Sequence, residues 1–147
     1  MTDTRPSAIP AVPALLGYSG VLPFAALAIA VVLTDGAWQN LALRAFLAYG
    51  AVILSFLGGI RWGAAARAAQ PRNGEYVLAV LPSLWAWACL LAEQPMLAAW
   101  GLMAGFALMG FADWLRPAPG TASWLVTLRL RLTAAVVLCH AIVIVAV

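Results

Sequence analysis

One apolar stretch, YGAVILSFLGGIRWG, decides the fold of this chain and runs from Tyr49 to Gly63. Its length, and the arginine and tryptophan near its end, predict a membrane helix that reaches a lipid–water interface. A row of small residues spaced four apart lies on one face of that helix: Ala51, Ser55, Gly59 and Gly63. Because such rows let a second backbone come close, we expect this face to pack against another helix.

The composition indicates an integral membrane protein. The chain has 147 residues, of which 65% are hydrophobic and 9% charged, and its mean hydropathy is +0.99. These values leave too few polar groups to cover a soluble globular surface. All eight basic residues are arginines, most of them next to apolar runs, so the net charge of +3 indicates membrane topology and not nucleic-acid binding.

The apolar segments predict an all-α fold with a single domain over residues 12–147, preceded by a polar tail at 1–11. We expect a bundle of five transmembrane helices that cover 12–33, 41–62, 76–92, 96–115 and 128–147. Pro23 should kink the first span near Ser19. The third span is short and holds Pro82 and Ser83, which makes these two residues either a candidate cavity wall or a plain kink.

The arginines predict the orientation of the bundle. With the N-terminus in the cytoplasm and the C-terminus outside, seven of the eight arginines fall on the cytoplasmic side, while Asp35 and Glu93 fall in the outer turns. Arg44 is the exception, because it lies inside the second span near its outer end. We expect its long side chain to extend to the nearby interface.

Two further sets of residues stand out on the predicted helices. Ala98, Gly101 and Gly105 form a second small row, and Asp113 ends the same face. A charge cluster is predicted where the second, fourth and fifth spans meet the inner interface: Arg61, Asp113, Arg129 and Arg131. Such a cluster could hold the helix ends together, which we favour, or bind an anionic group such as a lipid phosphate.

The sequence contains none of the common signatures of a catalytic, phosphate-binding or metal-binding site. Its only histidine, His140, could ligate a haem or relay a proton, but a histidine hydrogen-bonded inside the bundle is the commoner arrangement. Cys89 and Cys139 lie in apolar runs, where free thiols are ordinary packing residues. We therefore expect no enzyme activity, no metal and no cofactor.

The stretch from Tyr49 to Gly63, together with Leu81–Leu84, Asp113 and Leu128–Thr133, resembles a family of small bacterial membrane proteins classed only as a domain of unknown function. The eukaryotic relative of that family is a mitochondrial protein, transmembrane protein sixty-nine. The resemblance extends over nearly the whole chain after the tail. It implies a multi-pass protein of the bacterial cytoplasmic (inner) membrane and assigns no activity, substrate or cofactor.

Three classes of function remain open. The first is a non-enzymatic accessory or assembly subunit that binds lipids or other membrane proteins of a larger inner-membrane complex. The second is a small oligomeric transporter or channel for a small or anionic solute, which would need a wet cavity. The third is a membrane enzyme acting on lipid or quinone, for which Asp113 and His140 are the available groups. We favour them in this order.

Overall fold

A computed structural model describes residues 9–70 and 72–147, and within them the chain forms six α-helices. Their bounds are α1 Ala11–Ser19, α2 Leu22–Leu33, α3 Gly36–Arg67, α4 Asn73–Leu90, α5 Pro95–Leu115 and α6 Ser123–Ala146. The all-α membrane fold expected from the composition is confirmed, although the bounds of several helices differ from the predicted ones. Residues 1–8, most of the predicted polar tail, lie outside the described residues.

The predicted first span consists of two helices. α1 ends at Ser19 and α2 begins at Leu22, so the helix is interrupted directly after Ser19, the residue where a kink was expected. Pro23 has no backbone N–H to donate to the carbonyl of Ser19, so one hydrogen bond of a continuous helix is missing here. At the break, the hydroxyl of Tyr49 on α3 donates to the carbonyl of Gly20 at 2.9 Å. The break is therefore tied to the neighbouring helix.

α3 is longer than the predicted second span at both ends. It covers 32 residues from Gly36 to Arg67, which at about 1.5 Å per residue exceeds the hydrocarbon thickness of a bilayer. Gly36 opens the helix with a positive φ of 60°, a conformation that favours glycine. As a result, much of the segment 63–75, between the predicted second and third spans, is helical. Arg44 is exposed on α3, as expected for a side chain that reaches outward.

Four helical segments are long and apolar enough to cross a membrane: Ala11–Leu33, which joins α1 and α2, Gly36–Arg67, Pro95–Leu115 and Ser123–Ala146. α4, the predicted third span, is not among them. Its first turn holds Asn73, Gly74 and Glu75, so its 18 residues contain no stretch as long and apolar as those of the four segments. Length and composition thus support four spans in the described chain, one fewer than predicted.

The helices form one bundle in which α3, α5 and α6 each pack against three others. α3 packs against α2, α4 and α5, and α6 packs against α1, α2 and α5. Phe24, Phe46 and Phe106, from α2, α3 and α5, are almost fully buried where these helices meet. We call one end of the bundle the arginine end, because α3 and α5 finish there and α4 and α6 begin there. Six arginines of the described residues lie at this end. This end carries the candidate site.

Candidate functional site

Arg61 is the centre of a buried ion-pair network at the arginine end. Its side chain lies near the end of α3 and is only 1% exposed. Nη1 donates to Oδ1 of Asp113 at 3.1 Å, and Nη2 donates to Oε2 of Glu75 at 2.8 Å. Nη2 also donates to the backbone carbonyl of Arg116 at 3.2 Å. One guanidinium group thereby connects α3 to both α4 and α5.

Asp113 extends the network to α6. Its second oxygen, Oδ2, accepts a hydrogen bond from Nε of Arg129 at 2.7 Å, and Nη2 of Arg129 lies 2.7 Å from the same oxygen. Asp113 and Arg129 are both buried. A carboxylate shared by two guanidinium groups satisfies more of its lone pairs than a single pair would, which offsets part of the cost of removing it from water.

Glu75 completes the network and was missed in the sequence, where it falls between the predicted spans 41–62 and 76–92. Its side chain is 5% exposed, and Oε1 accepts a hydrogen bond at 3.1 Å from Arg72, whose own side chain is 74% exposed. α4 begins at Asn73, so Glu75 is helical. The buried residues of α4 are Glu75, Ala79, Pro82 and Ala86, a helical spacing that could have revealed Glu75 as the first residue of a packing face.

Arg131 does not belong to the network, so its inclusion in the predicted cluster was wrong. Its side chain is exposed, whereas Arg129 is buried. The reason is geometric: both arginines lie within α6. Two residues apart on a helix means about 200° of rotation, and only one of the two can face the bundle.

The network holds four buried charges, two positive and two negative, and each positive group contacts at least one negative group. Two guanidinium nitrogens, Nε of Arg61 and Nη2 of Arg129, make no well-aligned hydrogen bond within the described residues. Both arginines border a cavity of about 10 Å³ that Thr121 also lines. This volume is close to the minimum for one water molecule, which could serve such donors.

The first small row was assigned to the wrong face of α3. Gly59 has open space where a side chain would begin, and Gly63 has only the end of the Arg67 side chain nearby. A Cβ atom on Gly58, in contrast, would collide with the carbonyl oxygen of Ala79 on α4. Of the predicted row only Ala51 is buried. The face that packs contains Gly50, Leu54, Gly58, Arg61 and Ala65.

The second small row lies against α4 and α3. A Cβ on Gly101 would come within 2.6 Å of Sγ of Cys89, and one on Gly105 within 2.7 Å of Cδ2 of Leu54. Ala98 is 3% exposed. Nε1 of Trp85 donates to the carbonyl of Gly101 at 2.7 Å, so α4 and α5 are joined by both close packing and a hydrogen bond.

Pro82 lines an apolar groove of about 430 Å³ between α4 and α5, and Ser83 does not line it. The lining on the α5 side includes Gly105, Leu108 and Ala112. Because the side chains around this groove are almost entirely apolar, its chemistry suits hydrocarbon better than a hydrated solute.

His140 lies at the centre of the bundle and is fully buried. Its Nδ1 atom is 2.9 Å from the carbonyl of Val136, and its ring centre is 4.7 to 5.8 Å from those of Phe24, Phe46 and Phe106. The aromatic rings fill the space around the imidazole. Within the described residues, no three His, Cys, Asp or Glu side chains are grouped closely enough to hold a metal ion.

Comparison with curated proteins finds relatives in vertebrates. The chain is 37% identical over 130 residues to Transmembrane protein 69 of Xenopus tropicalis, which corresponds to 82% of this chain and 49% of that protein. It is 35% identical over 79 residues to Transmembrane protein 69 of Mus musculus, or 52% of this chain and 32% of that protein. The chain thus spans half or less of the length of these relatives. No solved structure matches it.

The family comparison covers most of the chain. The model of a family described as "Protein of unknown function (DUF3429)" matches residues 9–145, which include every helix except the final residue of α6. That match agrees with the resemblance noted in the sequence. The chain therefore belongs to the DUF3429 family of transmembrane proteins.

Proposed function

We propose that this protein is a non-enzymatic accessory or assembly subunit of the bacterial cytoplasmic (inner) membrane, which binds other membrane proteins or lipids. The observation that carries the proposal is the self-contained charge network at the arginine end. Arg61, Glu75, Asp113 and Arg129 contact one another and join the ends of α3, α4, α5 and α6. These charged groups are thereby used to hold a scaffold together.

The burial of these groups also argues for a structural role. Arg61 is 1% exposed and Asp113 5% exposed, so a substrate would have to displace existing partners to reach them. Removing one partner of a buried ion pair typically destabilises a protein by about 3 to 5 kcal/mol. A site that reacted with a substrate through Asp113 would have to overcome a cost of that order in every cycle. A rigid subunit has no such cost.

The topology belongs to the same proposal: five spans, with the N-terminus in the cytoplasm and the C-terminus outside. α4 supports the fifth span because it packs along α3, and its 18 residues extend about 27 Å, close to the thickness of the hydrocarbon core. The arginine end carries Arg67, Arg72, Arg116 and Arg131 in addition to the network, as the positive-inside rule requires of a cytoplasmic face.

Reporter fusions test the topology. Alkaline phosphatase fused after Gln94 or at the C-terminus should be active, and a green fluorescent protein at the C-terminus should be dark. A phosphatase fusion after Gly120, between α5 and α6, is the matched control and should be inactive. The reverse pattern would refute the orientation, and an active fusion after Gly120 with an inactive one after Gln94 would do the same.

Purification from native membranes tests the function. The tagged full chain, extracted in mild detergent, should bring down a membrane protein in fixed stoichiometry, and the tagged partner should bring down this chain. Asp113→Asn should reduce recovery of the partner because it loosens the scaffold, whereas Asp35→Asn in the exposed outer turn should not. Recovery of a homo-oligomer alone would contradict the subunit proposal and favour a transporter or channel.

A further inference from the structure

A narrow slot opens on the side of the bundle where α1 separates from α3. Its volume is about 180 Å³, and its walls include Leu16, Ile53, Phe56, Phe106, Leu132 and Arg129. We call it the α1–α3 slot. All of these residues except Arg129 are apolar, and Leu16 and Phe56 at its rim are 66% and 62% exposed. In a membrane, a rim of exposed apolar side chains faces lipid.

The break after Ser19 creates this slot. α2 packs against both α3 and α6, whereas α1 packs against α6 and makes few contacts with α3, so only the second half of the first span follows α3. A Cβ on Gly17 would lie 2.9 Å from Cδ1 of Leu132, which shows how closely α1 approaches α6. α1 therefore leans away from α3 at the arginine end, and α6 forms the back wall of the gap that remains.

The slot has a charged end and an apolar end. Arg129 lies at the arginine end, where its Nη2 is 2.7 Å from Oδ2 of Asp113 but makes no well-aligned hydrogen bond within the described residues. Val136, which also lines the slot, is seven residues further along α6, or roughly 10 Å. The slot thus extends along the bundle, with Arg129 at one end and apolar side chains, including Phe106, at the other.

The surrounding charge favours an anion. Six arginines lie at the arginine end of the described chain, against two carboxylates, Glu75 and Asp113. Both carboxylates are already engaged by arginines, so positive charge remains in excess. Clusters of arginine at a membrane surface attract anionic lipids.

We propose that the α1–α3 slot binds one acyl chain of an anionic phospholipid, with the phosphate held at the arginine end within reach of Arg129. The acyl chain fills the space between α1 and α3. The phosphate of the headgroup accepts hydrogen bonds from arginine side chains. The site does not depend on the proposed role as a subunit. Failure to recover a protein partner would not contradict the lipid site, and absence of lipid binding would not contradict the role as a subunit.

Lipid titration of the purified full chain tests the proposal. Phosphatidylglycerol should raise the melting temperature and give lipid-bound species in native mass spectrometry. Phosphatidylcholine with the same chains should do so much less, and inorganic phosphate should not. Ile53→Trp, which fills the slot, should weaken phosphatidylglycerol binding about tenfold. Val52→Trp is the matched control on α3, because Val52 is 64% exposed and does not line the slot.

Equal binding by these two variants would overturn the proposal, as would equal effects of the two lipids. An equal effect of inorganic phosphate would leave an anion site without a lipid chain, which also overturns it. Since Ile53→Trp could fail to fold, the wild-type chain provides an independent test. A phosphatidylglycerol with a photoreactive acyl chain, in phosphatidylcholine vesicles, should label Ile53, Phe56 or Leu132 in preference to Leu138, which is 61% exposed elsewhere on α6. Uniform labelling, or no labelling inside the slot, refutes the lipid.

Discussion

Arg61 and Glu75 lie 14 residues apart in sequence and meet in the interior at 2.8 Å between Nη2 and Oε2. The pair closes the hairpin formed by α3 and α4. Its side chains are 1% and 5% exposed, so the interaction is screened far less than a surface ion pair. Glu75 thus has as strong a claim to a structural role as Asp113, although the sequence drew attention only to the aspartate.

Glu75→Gln should destabilise the protein. The change leaves the buried Arg61 with one carboxylate in place of two, and we expect a loss on the order of 3 kcal/mol in the free energy of unfolding. Thermal unfolding in detergent measures it. Glu93→Gln is the control, because Glu93 is exposed at the opposite end of the bundle. A Glu75→Gln variant as stable as the control would show that the pair contributes little.

Asp113→Asn should also destabilise the protein, since it weakens contacts to both Arg61 and Arg129. Exchanging the charges of Asp113 and one arginine distinguishes Arg129 from Arg131 as its partner. Asp113→Arg combined with Arg129→Glu should recover part of the lost melting temperature, because the two side chains are in contact. Asp113→Arg combined with Arg131→Glu should recover none, because Arg131 is exposed. Equal recovery by both double variants would contradict the network.

The two adjacent glycines of α3 should respond in opposite ways to a side chain. Gly58→Ala should cost about 1 to 3 kcal/mol, because the added methyl group meets the carbonyl oxygen of Ala79 and forces α3 and α4 apart. Gly59→Ala adds the same group into open space and should leave the melting temperature nearly unchanged. If Gly59→Ala is the more harmful change, the packing face of α3 is the predicted one after all.

His140→Leu should be tolerated. The imidazole bonds only to the carbonyl of Val136 on its own helix, within the described residues, and is surrounded by phenylalanine rings. An apolar side chain of similar volume keeps this packing and removes a buried polar atom, so the change in unfolding free energy should stay below about 1.5 kcal/mol. Absorption spectra of both variants, purified from native membranes, provide the second measurement. A visible band present only in the wild type would establish a haem ligand.

The arginine end could be largely predicted from the sequence because antiparallel spans bring alternate helix ends together. That rule alone placed Arg61, Asp113 and Arg129 near one another, and the structure joins them. It could not separate Arg129 from Arg131, since the choice depends on which face of α6 packs against the bundle. Glu75 was missed for a different reason: the start of α4 at Asn73 decides whether the residue lies between helices or within one.

The error on α3 has a different origin. Gly58 and Gly59 are adjacent, so small residues spaced four apart can be traced on either of two neighbouring faces. The face that packs includes Leu54 and Arg61, which a search for small residues passes over. Spacing alone cannot tell which of the two faces packs, because that depends on which residues of α4 lie opposite each face. The break between α1 and α2 was easier to foresee, since proline acts on its own helix.

The sequence distances within the charge network bear on how the protein enters the membrane. Arg61 and Glu75 are 14 residues apart and belong to the α3–α4 hairpin, while Asp113 and Arg129 are 16 apart and belong to the α5–α6 hairpin. Each hairpin therefore carries its own neutral pair, so that none of these four buried charges has to leave the insertion machinery without a partner. The contact between Arg61 and Asp113, 52 residues apart, then joins two hairpins that are already complete.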